Sequence, residues 1–146
     1  MVDVNTFFKV DLSSWVEGTI SKVQSGEEWN SAWQQTYFEL GGTSKETARK
    51  PCPMVAARTL YELGRVSSYG EIQEVALIKV LENHSKNGAY AIAAIDCLNH
   101  DSTLTLMSLW SQVQERVRAE LGVEPAISNQ GGTTLTYKLW HLGMLR

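Results

Sequence analysis

The sequence predicts an all-α protein in which two related three-helix units share one core. Apolar residues recur at helical spacing, glycines follow the helix-like segments, and one pattern occurs twice. That pattern begins at Trp29 and again at Trp110, 81 positions later. A self-similarity at a nearly fixed offset is typical of a duplicated structural unit. The first copy of the pattern comprises Trp29, 39–41 and 60–66, and the second comprises Trp110, 120–122 and 139–145. The last part of the pattern recurs at an offset of 79.

Length and composition favour a single domain over residues 1–146. A chain of this length buries roughly 68–70% of the surface of its unfolded state, and 43% of its residues are hydrophobic. The formal net charge of −3 gives no general attraction to nucleic acid or to an anionic membrane. No secretion signal or membrane-spanning run is present, and two cysteines are too few for a disulfide scaffold. We therefore expect a cytoplasmic protein that does not bind membranes.

The first unit, approximately residues 5–66, is predicted to begin with two helices. Apolar residues at helical spacing over 8–23 indicate the first, and Ser-x-x-Glu at 14–17 is typical of a capping box. A second Ser-x-x-Glu pattern at 25–28 precedes the next helix, whose apolar stripe starts at Trp29. The glycine pair that follows this stripe predicts its end.

The third helix of this unit is predicted from Pro53 to Gly64. Proline fits the first turn of a helix, where its missing N–H removes no hydrogen bond. Ala56, Leu60 and Leu63 share one side of the helix and are expected to be buried. The glycine is expected to adopt the left-handed conformation that ends many helices.

The units are joined by residues 67–86, whose structure the sequence leaves open. Residues 67–83 carry apolar positions that fit one helix, but they are also rich in β-branched residues, which favour strands.

The second unit, 87–146, is predicted to follow the same order. A turn is expected at Asn87-Gly88, then a helix over 90–98, then the longest helix, capped by Ser102 or Thr103 and ended by Gly122. The last helix carries Leu135, Leu139 and Leu142 and ends at Gly143. We expect Leu139 and Leu142 to be buried like Leu60 and Leu63, and Trp110 to have an environment equivalent to that of Trp29. Short extended segments are possible after Gly64 and Gly143.

Five short segments resemble an uncharacterised bacterial family, a domain of unknown function. They are Lys-Pro-Cys-Pro at 50–53, Tyr-Ala-Ile-Ala-Ala at 90–94, Leu-Trp at 109–110, Ser-Asn-Gln at 128–130 and Leu-Trp at 139–140. The resemblance extends over roughly 29–66 and 87–146. It implies a small bacterial helical protein and carries no assigned activity or cofactor.

Each unit is also similar to the trihelical core of winged-helix DNA-binding domains. In the last helix, five polar residues are expected on the outer side, where they would contact phosphates or base edges. These residues are Thr133, Thr134, Thr136, Lys138 and His141.

A locally basic segment, 45–65, is the candidate site for nucleic acid or another anion. Its basic residues outnumber its acidic ones by three, in a chain that is acidic overall. Cations beside the start of a helix favour phosphate binding, because unpaired N–H groups and the helix dipole attract negative charge. The candidate residues are Lys45, Arg49, Lys50, Arg58 and Arg65.

Cys52 is the weak candidate for catalysis. It lies at a predicted helix start beside Arg49 and Lys50, an environment that favours the thiolate. The alternative is a small buried residue, the commoner role of a cysteine. The three histidines have no metal-ligand spacing, so no metal or cofactor is predicted.

The sequence therefore favours a non-enzymatic interaction protein that acts through a protein partner or a homodimer surface. Five tryptophans are many for this length, and one left exposed would anchor a partner. DNA binding through a helix-turn-helix-like unit with the 45–65 segment is the first alternative. A cysteine-dependent enzyme or redox protein using Cys52 is the second.

Overall fold

The computed structural model describes residues 3–129 and 131–146, and it confirms a mainly helical fold. Gln130, part of the Ser-Asn-Gln segment, lies outside the described residues. A small hairpin precedes the helices and consists of β1 (Thr6–Phe7) and β2 (Val10–Asp11). The described helices are α1 (Leu12–Gln24), α2 (Trp29–Glu39), α3 (Lys45–Arg49), α4 (Pro51–Glu62), α5 (Leu77–Asn83), α6 (Lys86–His100), α7 (Leu106–Leu121) and α8 (Gly132–His141). None of them has the length and hydrophobicity that crossing a bilayer requires.

The first helix begins later than the apolar spacing predicted, because Phe8 belongs to the hairpin turn. Phe8 and Lys9 connect β1 to β2 with φ angles of 49° and 67°. This is the geometry of a type I′ turn, which usually contains Asn-Gly, so the sequence carried no signal for it. Helix α1 then starts after Asp11, whose carboxylate accepts a hydrogen bond of 2.9 Å from the backbone N–H of Ser14.

Both predicted capping boxes are wrong. Ser14 lies inside α1, because Asp11 takes the N-cap position and its carboxylate accepts from both the backbone N–H and the hydroxyl of Ser14. Ser25 is the C-cap of α1, and the chain turns at Gly26 with φ 105° before α2 starts. The N-cap of α2 is Glu28, which makes no side-chain capping hydrogen bond.

Helices α1 and α2 form a hairpin around stacked indole rings. The rings of Trp15 and Trp33 lie 4.3 Å apart, and Trp15 Nε1 donates to the Trp33 carbonyl at 2.9 Å. Trp29 Nε1 donates to the Met54 carbonyl at 2.9 Å. These buried contacts fix α2 against both α1 and α4.

The predicted third helix is confirmed as α4. It begins at Pro51, two residues before the predicted start, and Pro53 still lies in its first turn. The predicted leucines, Leu60 and Leu63, are buried. Gly64 follows it with φ 71°. The open segment after it is neither one helix nor one strand. Residues 67–76 form turns and loop, and the chain becomes helical again in α5.

The predicted turn at Asn87-Gly88 is wrong, since both residues lie in α6. The hydroxyl of Ser85 accepts a 2.9 Å hydrogen bond from Gly88 N and caps this helix. A Cβ at Gly88 would overlap the side chain of Thr59. This glycine therefore allows α6 to approach α4 closely.

The N-cap of helix α7 lies two to three residues later in the chain than predicted. Its N-cap is Thr105, whose hydroxyl accepts from Ser108 N at 3.1 Å, rather than Ser102 or Thr103. Its predicted end at Gly122 is confirmed, with φ 66°.

In α8 the predicted outer face is partly wrong. Thr133 and Thr136 are fully buried, while His141 is exposed. The Thr136 hydroxyl donates to the Gly132 carbonyl at 2.9 Å, so its polar atom is satisfied inside the core. Leu142 is only half-buried, unlike its predicted equivalent in the first unit.

The extended segments after Gly64 and Gly143 are confirmed and pair with each other. Val66 and Leu145 form an antiparallel bridge, flanked by hydrogen bonds from Ser67 N to the Met144 carbonyl at 2.8 Å and from Arg146 N to the Arg65 carbonyl at 2.9 Å. The two regions that carry the Leu-Gly pattern thus meet in the fold.

Other contacts are not shared by the two units. Helix α6 packs against both α4 and α8, whereas α1 packs mainly against α2. Trp29 is buried, whereas Trp110 is half-buried and donates instead to the Ile127 carbonyl. The equivalent tryptophan environments are therefore not observed, and the duplication itself stays a prediction.

Candidate interaction surface

The segment between α7 and α8 is held in place by side chains of neighbouring helices. Trp110 Nε1 donates to the Ile127 carbonyl at 3.2 Å, and Gln114 Nε2 donates to the Ala126 carbonyl at 3.0 Å. The Tyr90 hydroxyl accepts from Ala126 N at 2.9 Å. Its ring meets that of Trp110 edge to face, with the centroids 5.4 Å apart. The backbone around Ile127 is therefore ordered by contacts that do not involve its side chain.

Ile127 and Met107 are the most exposed large apolar residues in the described part of the chain. Their exposures are 97% and 84%, and the next value is 44%, at Ile72. Met107, Trp110 and Gln114 follow one another at helical spacing along one side of α7. Because Trp110 and Gln114 also bind the backbone at Ile127, the four residues lie together. We call Met107, Trp110, Gln114 and Ile127 the uncharged face.

We call this face uncharged because the two stretches of sequence that form it contain no charged residue. Residues 102–114 and 125–137 contain no Asp, Glu, Lys or Arg, although 20% of the whole chain is charged. The nearest charged residue before the second stretch, Glu124, is paired with Arg118 at 2.8 Å. These two charge-free stretches are the signal that sequence reasoning missed. Their proximity and the outward direction of Ile127 are properties of the fold.

The five predicted anion-binding residues have different environments. Lys45 and Arg49 are exposed on α3, and Lys50, directly after it, is half-buried. Arg58 lies 3.3 Å from Glu62 in an ion pair on α4. Arg65 is only 7% exposed. Three residues of this set therefore lie at or near the surface and form no ion pair within the described part of the chain: Lys45, Arg49 and Lys50.

Arg65 belongs to an internal ion-pair chain. Asp96 lies between two arginines, with Oδ1 3.6 Å from Arg65 Nη2 and Oδ2 3.0 Å from Arg116 Nη1. Arg65 Nε also donates to the Arg146 carbonyl at 2.7 Å. This chain connects the residues after α4 with α6 and α7, so the role that its geometry supports is structural.

Both cysteines are buried. Cys97, rather than the predicted Cys52, lies beside a histidine and acidic groups. Cys52 lies in the first turn of α4, as predicted, and is 8% exposed. Cys97 lines a groove of about 550 Å³ between α6 and α7, together with Asp96, His100 and Arg116. Burial raises the pKa of the Cys97 thiol, and the nearby Arg116 guanidinium opposes this only in part. A protonated thiol is a poor nucleophile, so this groove does not favour cysteine catalysis.

Among residues 3–129 and 131–146, no group of three or more His, Cys, Asp or Glu side chains is arranged to hold a metal ion.

Comparison with known protein families identifies the family of this chain. The model of the family of unknown function DUF6979 matches residues 16–145. The chain belongs to this family. No curated protein and no solved structure matches it.

The resemblance to a domain of unknown function is thereby confirmed. The DUF6979 match includes the uncharged face, both cysteines and the internal ion-pair chain, whereas the β1–β2 hairpin lies before it. A bacterial origin stays a prediction.

In this DUF6979 protein, Cys97 is expected to react slowly with iodoacetamide at neutral pH. The attacking species is the thiolate, and a raised pKa keeps its fraction low. Labelling of the peptide that contains Cys97, followed by mass spectrometry, should accelerate with pH into a more alkaline range than labelling of an unperturbed thiol. Rapid and complete labelling at neutral pH would contradict the protonated state.

Proposed function

We propose that the protein is a non-enzymatic interaction protein that associates with a second copy of itself through the uncharged face. The observation that carries this proposal is Ile127. Its backbone is held by hydrogen bonds from α7, yet its side chain is 97% exposed. Because the backbone of this residue is already held, its burial in an interface costs little further backbone freedom, which favours association.

A second copy suits this surface because the surface carries no charge of its own. Two copies related by a two-fold axis place the same patch against itself. A patch with several like charges would then repel its equivalent, but residues 102–114 and 125–137 contain none. The centres of protein interfaces are also depleted in charge and enriched in aromatic residues and methionine, as Trp110 and Met107 are here.

The substitution Ile127→Glu is expected to weaken self-association at least tenfold. It would place a carboxylate in the centre of the contact, where it would lose its hydration. Because the Ile127 side chain makes few contacts within the chain, the fold should be unaffected. Sedimentation equilibrium over a range of protein concentrations measures the dimer dissociation constant, and circular dichroism verifies folding.

Ile72→Glu is the matched control, since it changes an exposed isoleucine outside the uncharged face. We expect this variant to dimerise like the wild type. Dimerisation through an apolar contact should also persist as salt is raised. A wild-type protein that stays monomeric at high micromolar concentration would refute self-association, and so would equal effects of the two substitutions.

Nucleic-acid binding is the second candidate, and the strained β1–β2 turn favours it. Phe8 and Lys9 both have positive φ, which is costly for residues other than glycine. The turn borders a cavity of about 300 Å³ that the start of α3 also lines. Phe8 is exposed, and Ser44 and Thr47, which line this cavity with it, belong to the same segment as the basic residues of 45–50. An aromatic ring combined with basic residues has the composition of a single-strand binding surface. Binding of a labelled oligonucleotide that falls steeply with salt, and falls further with Arg49→Ala, would favour this function over self-association.

A further inference from the structure

A polar cavity of about 460 Å³ lies where α2, α4 and the turn between α5 and α6 meet. It is separate from the uncharged face, since none of its lining residues belongs to 102–114 or 125–137. Its polar lining residues include Asn30 from α2, Arg58 and Glu62 from α4, Asn83 from the end of α5, and His84 and Ser85 from the turn. A concave site with a few convergent polar groups is typical of small-molecule binding.

Charges of both signs face this cavity. Glu62 Oε1 lies 3.3 Å from Arg58 Nε and 3.6 Å from His84 Nδ1. Both contacts use one carboxylate oxygen, and within the described residues the terminal nitrogens of Arg58 and Oε2 of Glu62 make no hydrogen bond. The arginine side chain is 47% exposed and the glutamate 39%. Both are therefore accessible to a ligand, and the pair as a whole is neutral.

Asn30 contributes an unused hydrogen-bond acceptor. Its Oδ1 is enclosed and has no hydrogen-bond partner among the described residues. Buried polar atoms in folded proteins are nearly always hydrogen-bonded, so an exception calls for an explanation. Asn30 also lines the cavity, so a ligand donor bound there could reach Oδ1 if the amide rotated toward it.

We propose that this cavity binds a small zwitterion of the α-amino acid class. The ligand carboxylate would bind the terminal nitrogens of Arg58, a pairing whose geometry can be bidentate. Its ammonium group, which has three donors, would bind Glu62 and, after a small rotation of the amide, Asn30 Oδ1. A simple anion would be repelled by Glu62 and a simple cation by Arg58, so a molecule with both charges fits best.

The test is titration of the ¹⁵N-labelled protein with each protein amino acid at millimolar concentration, followed by amide chemical shifts. L-serine is compared with 3-hydroxypropanoate, which lacks the ammonium group, and with ethanolamine, which lacks the carboxylate. We expect at least one amino acid to shift the amides of residues 83–85. Its deaminated and decarboxylated analogues should bind at least tenfold more weakly.

Arg58→Gln and Asn30→Ala should each weaken this binding about tenfold or more. The matched control is Arg118→Gln, which removes an arginine of α7 from its ion pair with Glu124, outside the cavity, and should leave binding unchanged. The absence of any shift at residues 83–85 across all the amino acids would overturn the proposal. Equal binding of 3-hydroxypropanoate would overturn it too, since that result would indicate an anion site. These outcomes are independent of whether the protein dimerises.

Discussion

Leu139→Ala is expected to lower the free energy of unfolding by about 2–5 kcal/mol. Leu139 is 1% exposed and lies on α8, which packs against both α4 and α6. The substitution removes buried apolar surface and leaves a cavity in a close-packed interior, and both effects destabilise the folded state. Urea denaturation measures the change as a lower midpoint at an unchanged slope.

Leu142→Ala is the internal comparison for this experiment. It makes the same chemical change one turn later, at the C-cap of α8, where the side chain is half-buried. We expect a smaller loss of about 1–2 kcal/mol, because part of the leucine contacts water in the folded state as well. A loss below about 1 kcal/mol for Leu139→Ala would place that residue outside the core.

The contrast between Leu63 and Leu142 explains why the repeated pattern predicted burial only in part. Both follow the same Leu-x-x-Leu-Gly spacing, and the spacing alone assigns both to the buried side. Leu63 is 3% exposed, because the loop after Gly64 returns over it and Gln73 N donates to its carbonyl at 2.9 Å. The apolar positions of that loop fit a helix that does not form over residues 67–76, so the path of the loop could not be predicted from the sequence.

Helix ends were predictable where one residue type decides them. Glycines at 64, 122 and 143 follow the helices as expected and all have positive φ, and Pro53 lies in the first turn of α4 as predicted, although the helix begins at Pro51. Helix starts were less predictable, because several neighbouring Ser, Thr and Asp residues can each accept the same N–H groups. Asp11 and Thr105 took positions that the pattern had assigned to Ser14 and to Ser102 or Thr103.

The candidate sites depend more on tertiary structure than the helices do. The basic residues of 45–65 are close in sequence, yet Arg65 is buried beside Asp96 while Arg49 is exposed. Conversely, Met107 and Ile127 are distant in sequence. They lie on one surface because Trp110, one turn after Met107, donates a hydrogen bond to the Ile127 carbonyl. Burial and pairing of a charged side chain, which decide whether it is available, cannot be obtained from local composition.

Gly64 and Gly143 both end a helix of the repeated pattern. The destabilisation caused by Gly64→Ala can therefore be compared with that caused by Gly143→Ala in the same protein. After Gly64, Arg65 N donates to the Leu60 carbonyl at 2.8 Å, and after Gly143, Met144 N donates to the Leu139 carbonyl at 3.0 Å. This is the Schellman type of helix end, with φ 71° and 75° at the glycines. A Cβ at Gly143 would meet no atom within 4 Å. Gly143→Ala should therefore cost only the left-handed backbone strain, about 1–2 kcal/mol.

Gly64→Ala should cost more, about 2–5 kcal/mol in total, because strain and overlap act together. A Cβ there would overlap the Glu71 carbonyl, and the loop cannot move away without breaking the hydrogen bonds of Gln73 to the Leu63 and Glu62 carbonyls. Urea denaturation of both variants measures the difference, and amide hydrogen exchange at residues 71–76 should rise in Gly64→Ala alone. Equal destabilisation by the two substitutions would show that the loop yields freely. A larger cost at Gly64 would show that the loop packed over this glycine, rather than the type of helix end that both glycines have, causes the difference.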